Sequence, residues 1–116
     1  MNKEHIVKSN IDFQRIIKNN KPYKYRDYII YLEKTTEKNY RFGFSVGKKI
    51  GHAVTRNKIK RQLRNIVRKK DYQNGFNCII IVGSNILKKS FQQMEEDLYK
   101  VLTNMNLIKE KTNEKK

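Results

Sequence analysis

Between Gly47 and Lys70 the sequence carries Lys48, Lys49, Arg56, Lys58, Lys60, Arg61, Arg64, Arg68, Lys69 and Lys70, ten cations without one acid. Placed at about 100° per residue on a helix, Asn57, Lys60, Arg61, Arg64 and Arg68 cluster on one side. Ile59, Leu63, Ile66 and Val67 form an apolar stripe on the other. Like charges four residues apart destabilise an isolated helix, so a merely solvated face would interleave Glu. Arg matches the paired oxygens of a phosphate. Gly47 and Gly51 ahead of the helix let the backbone approach an anion, and the helix N-terminus adds its dipole. The chemistry on offer is polyanion binding.

Aromatic side chains are the second resource. Phe13, Tyr28, Tyr31, Tyr40, Phe42 and Phe44 are mostly core candidates. Phe13 and Tyr31 are the two expected to stack on unpaired bases, as RNA-binding sheets do. Groups for covalent or acid–base chemistry are missing. His5 falls in a segment expected to be mobile, and His52 lies among cations, where it suits an RNA contact better than a base's role. Glu95-Glu96-Asp97 reads as a solvent-facing helical run. No metal-ligand spacing or phosphate-loop motif occurs, so no catalytic residue and no cofactor held by the protein are expected.

These residues need a scaffold. Ser9 or Asn10 can cap a first helix running to about Asn19, with Phe13, Ile16 and Ile17 on one face. Pro22 ends it. Asp27 to Lys34 and Tyr40 to Val46 alternate as strands. Thr35 to Asn39 is a polar connection, which predicts an antiparallel hairpin between the two. The basic helix follows from about Val54 to Lys70, then a buried strand at Cys78–Val82. Ser90 and Gln93 offer a capping box for a last helix. The expected order is α-β-β-α-β-α, a small two-layer α+β sandwich with a mostly antiparallel sheet. Residues 1–108 make one domain, and 109–116 a disordered basic tail.

The whole-chain balance agrees. In 116 residues, 27 Lys+Arg against 11 Asp+Glu give +16, a self-repulsion that an anionic partner relieves. No apolar run approaches the ~18–20 residues that span a bilayer, and no signal-peptide core follows Met1. Cys78, the single cysteine, reads as a buried apolar residue. A cytoplasmic protein without membrane contact is expected. Charge alone leaves open a non-enzymatic RNA-binding module, such as a ribosomal or RNA-chaperone protein, and a DNA-binding regulator. For the latter, zinc-finger spacing, zipper heptads and helix-turn-helix order are all missing.

The string Phe44-Ser45-Val46-Gly47-Lys48-Lys49-Ile50-Gly51-His52-Ala53-Val54-Thr55-Arg56-Asn57-Lys58-Ile59-Lys60-Arg61-Gln62-Leu63-Arg64 resembles the signature of the bacterial ribonuclease P protein component. Asp12-Phe13-Gln14-Arg15 and Arg26-Asp27-Tyr28-Ile29-Ile30-Tyr31 resemble its first helix and first strand, so the likeness spans about residues 9 to 105. The resemblance implies a fold shared with a ribosomal-protein domain, with a left-handed crossover around the basic helix. It implies a subunit of a ribonucleoprotein endonuclease that removes the 5′ leader from precursor tRNA. The partners would be ribonuclease P RNA, which is the catalyst and holds Mg2+, and precursor tRNA; no DNA is expected. By position, Lys48, Lys49, His52, Arg56, Asn57, Lys58, Lys60, Arg61, Arg64 and Arg68 would contact RNA. Phe13, Ile17 and Tyr31 would line a cleft for the single-stranded leader. Three positions depart from the family pattern: Ile17 where an aromatic is common, His52 for Asn, and Gly47 for Ser.

Overall fold

The computed structural model describes residues 2–109. Helix α1 spans Asn10–Asn19 and is capped by the Ser9 hydroxyl, which accepts from the Ile11 and Asp12 amides. Strands β1 (Tyr23–Tyr25), β2 (Tyr28–Lys34) and β3 (Tyr40–Val46) follow. Helix α2 covers Ala53–Val67, β4 Phe76–Val82 and α3 Phe91–Asn104. The capping box predicted at Ser90 and Gln93 is formed. The fold is α+β, as expected, with one additional strand.

That strand is β1. Tyr23-Lys24-Tyr25 pairs antiparallel with β2 through a two-residue turn in which Arg26 adopts a φ of 53°. The expected hairpin between β2 and β3 does not exist. The sheet order is β1-β2-β4-β3, so β4 lies between them, antiparallel to β2 and parallel to β3. Alternation in β2 and β3 shows that both are strands; it carries no information on which strand lies between. Segment β3-α2-β4 is therefore a crossover around the basic helix.

Alternation along β4 separates two apolar regions. Phe76, Cys78, Ile80 and Val82 point to the main core, shared with Ile59, Leu63, Ile66 and Val67 of α2 and Met94, Leu98, Val101 and Leu102 of α3. Ile79 points to the opposite face, where Val7 and Ile16 cover it. Helix α1 thus lies on the face away from α2 and α3. Its close approach depends on Gly43, since a Cβ there would stand 2.7 Å from Ile79 Cδ1 and 2.8 Å from the Phe13 ring.

Two further expectations change. Asp97 is buried rather than solvent-facing. Its Oδ2 accepts from Lys89 Nζ at 2.6 Å and from the Tyr28 hydroxyl at 3.2 Å, and Arg26 lies 3.5 Å from Oδ1. A buried carboxylate needs such partners, and charge pattern alone does not reveal them. His5 is held rather than mobile. It stacks on Tyr40 with centroids 4.0 Å apart, and its Nδ1 lies 3.0 Å from the Tyr40 carbonyl. The neighbouring Val7 amide donates to the Phe42 carbonyl at 2.9 Å, so the N-terminal segment covers the outer edge of β3. Lys109 donates to the Asp71 carbonyl at 2.8 Å; residues 110–116 of the predicted tail lie outside the described residues. Among the described residues no helix is long and apolar enough to cross a membrane.

Candidate nucleic-acid interface

Helix α2 starts where the extended His52 leaves the loop. His52 is exposed, and its side chain makes no cap hydrogen bond. Lys48 and Lys49 are exposed on a 3-10 turn at Lys48–Ile50, anchored by buried Ile50. Arg56 joins the two pieces, since its Nε donates to the Gly51 carbonyl at 3.1 Å. It therefore holds the loop against the helix as well as presenting charge.

The apolar stripe fixes the helix's rotation, and the opposite face becomes the binding surface. Asn57, Lys60, Arg61 and Arg64 converge on a shallow groove of about 200 Å³. Exposed Arg68 extends the same face at the C-terminal end. Lys58 is not part of that groove. It borders another, with Thr55, Gln62, Ile86 and Leu87, on the side of α2 facing the Ser84–Lys88 turn. The last two cations of the run are committed internally. Lys69 pairs with Glu95 at 2.9 Å and sits 5.2 Å from the Phe91 ring, and Lys70 sits 4.9 Å from Tyr99. The free basic surface therefore ends at Arg68.

Phe13, Ile17 and Tyr31 come together on the other face of the sheet. All three are half-buried and pack on the cluster of Val7, Ile16 and Ile79. Phe13 and Ile17 come from α1 and Tyr31 from β2, so the helix and sheet form the walls of one cleft. Strand register supplies residues that motif reasoning missed. Lys24, Ile29, Ile81 and Ser45 form a row across this face, one step beyond Tyr31–Ile79–Gly43. Ile29 and Ile81 are half-buried and Lys24 is exposed. Alternation placed Ile29 beside Tyr31; only the strand order brings Ile81 and Ser45 alongside.

The other end of the face is polar. Arg15 of α1 makes a bidentate pair with Glu33 of β2, at 3.0 and 2.9 Å, and also reaches Asp12. Those hydrogen bonds hold the Glu33 carboxyl below its ordinary pKa. Asn77 Nδ2 donates to the same carboxylate at 2.8 Å. Cys78 lies in the main core, and burial pushes its thiol well above the ordinary range, away from the reactive thiolate.

Among the described residues no group of three His, Cys, Asp or Glu is placed to hold a metal ion. The carboxylates of Asp12, Asp27, Glu33, Glu37 and Asp97 each face an Arg or Lys instead. That donor set does not fit Mg2+, which takes free carboxylate oxygens at close range.

Comparison with known proteins agrees with this arrangement. The family model described as Ribonuclease P matches residues 1–106. The Ribonuclease P protein component of Mesoplasma florum is 35% identical over 105 residues, covering 88% of this chain and 96% of that protein. The same component of Streptococcus pyogenes is 35% identical over 109 residues, covering 93% and 92%. Among solved structures, the Staphylococcus aureus RNase P protein superposes with a TM-score of 0.81 at 32% identity, covering 92% of this chain and all of that one. The Thermotoga maritima RNase P protein gives 0.76 at 26% identity, covering 85% and 96%.

Proposed function

The chain belongs to the ribonuclease P protein family, and on that premise we propose how its two faces divide the work. As the protein component it is the accessory subunit of an RNA-based endoribonuclease of tRNA processing, and its partner is ribonuclease P RNA. The family assignment displaces the stand-alone RNA-binding module and the DNA-binding regulator as readings. The basic face of α2, with Lys48, Lys49 and His52, grips the catalytic RNA through its phosphates. The cleft of Phe13, Ile17 and Tyr31 receives the single-stranded 5′ leader of precursor tRNA. Ile17 contributes apolar contact there, and Phe13 and Tyr31 contribute stacking. Bond cleavage, and the Mg2+ that assists it, belong to the RNA. The side chains of this protein position the leader and neutralise phosphate charge. Work in the cytoplasm, away from membranes and DNA, fits a buried, inert Cys78 and a surface built for RNA.

One observation carries this reading: the sheet separates a charged surface on the α2 side from an apolar, aromatic cleft on the α1 side. A phosphate-rich duplex and an unpaired strand need those two different surfaces. The test is cleavage of precursor tRNA by ribonuclease P RNA at limiting magnesium, with and without this protein. Faster cleavage at the mature 5′ end is expected on adding it. No gain would overturn the assignment of roles.

A further inference from the structure

The α1 face does not end at Tyr31. One two-residue step along β4 from Ile79, about 6.6 Å, brings Asn77, flanked in register by Glu33 on β2 and Arg41 on β3. Here α1, the N-terminal segment and the start of β3 enclose a groove of about 470 Å³, within the range of small-ligand sites. Lys3, Lys8, Asp12, Arg15, Arg41 and Asn77 are among its lining residues.

Asn77 is only 7% exposed. Its Nδ2 donates to Glu33, which fixes the amide's orientation, because a flipped amide would set its oxygen against a carboxylate. That leaves Oδ1 buried without a partner, the only such side-chain atom among the described residues. A buried acceptor without a donor is costly, and an Asn whose second group stays empty is poorly explained by packing. Arg41, the register neighbour, is half exposed and turned to Glu37 at 2.7 Å, so it can swing aside. On the rim, Lys3 and Lys8 are exposed and make no ion pair among the described residues. An acceptor at the floor and free cations at the rim suit a nucleotide: a base with an amino group inside and phosphates outside.

We infer that this groove is a second leader subsite, in which Asn77 Oδ1 accepts from the exocyclic amino group of an adenine or cytosine. The inference rests on the reading of the α1 face as the leader cleft. Lys48 and Lys49, which face the catalytic RNA, follow the end of β3, whereas Arg41 lies near its start. The groove is thus roughly 17 Å farther from the RNA-binding loop than the cleft's near end. It takes a nucleotide upstream of those on Tyr31.

The experiment uses the reconstituted holoenzyme and precursor tRNAs whose leaders lengthen one nucleotide at a time. Each carries adenosine or purine riboside, which lacks only the amino group, at its 5′-most position. At one upstream position adenosine should bind roughly tenfold tighter than purine riboside, the worth of one satisfied buried acceptor. Asn77→Val should abolish that preference while leaving precursors with shorter leaders unaffected. Lys3→Ala and Lys8→Ala, at exposed positions that do not disturb folding, should weaken both long-leader substrates equally. No amino-group preference at any upstream position, or a preference that survives Asn77→Val, would overturn the inference. Failure of the leader cleft itself is a separate outcome, seen when Tyr31→Ala leaves affinity for every leader length unchanged.

Discussion

Arg64 and Arg68 show how position on α2 decides what a cation does. Both are exposed on the face opposite the apolar stripe, whereas Lys69 and Lys70 are drawn to Glu95, Phe91 and Tyr99. Replacing Arg64 or Arg68 by Ala should lower RNA affinity and flatten its salt dependence. The expected change is about 0.7–0.9 log units per log salt for each phosphate that the variant no longer neutralises. Lys70→Ala should leave that slope unchanged. Affinity titrations at several salt concentrations separate the two groups, and equal slopes would show that RNA lies against another face. Tyr31 makes a different prediction. Its half-buried ring is a stacking surface, so Tyr31→Ala should cost on the order of 1–3 kcal/mol in binding leader-bearing precursor and much less for mature tRNA. An equal loss for both substrates would mean that the ring only packs. The residue types at these positions were legible in the sequence. The internal commitments of Arg56, Lys69, Lys70 and Asp97 were not, because each partner comes from a distant part of the chain or from backbone.

Among the elements, periodicity located α1, α2, α3, β2 and β3 and the two capped helix starts. It failed where the signal is not periodic. Three residues between Pro22 and a turn are too few for alternation to mark β1, and pairing partners are a tertiary matter. The cleft was legible as a set of residues but not as a place, since the sheet floor of Ile29, Ile81 and Ser45 depends on β4 entering between β2 and β3. The wall of that cleft is pinned by Arg15–Glu33, which ties α1 to β2. Arg15 depresses the Glu33 pKa in the folded state, so the pair's contribution is present above the unfolded value of about 4.3. It is lost as pH falls through the lower, folded value. Melting temperature should therefore drop on acidification below that range. Glu33→Gln should start lower and show a shallower acid limb in circular-dichroism melts. A variant with the wild-type limb would show that other carboxylates dominate.

For the whole molecule, a net charge of +16 opposes compaction, and salt screens it over about 30 Å at 0.01 M but about 10 Å at 0.1 M. Stability should rise with ionic strength over that range. Each kcal/mol of relieved repulsion moves Tm by about 4–8 °C for a domain of roughly this size. Thermal melts at fixed pH across a sodium chloride series test this; a flat series would mean that self-repulsion is already balanced by the internal ion pairs. The strand order has a consequence for biosynthesis as well. The central strand β4 is the last of the four to be made, and β2 and β3 touch only through it. A growing chain can form the local β1–β2 ribbon early, but both neighbours of β4 wait with open edges until Phe76–Val82 leaves the ribosome. By then the basic α2 segment is already outside and free to meet ribosomal RNA. Such an interval is when incomplete sheets associate with one another, and polyanion bound to the nascent helix would shield the chain while it lasts.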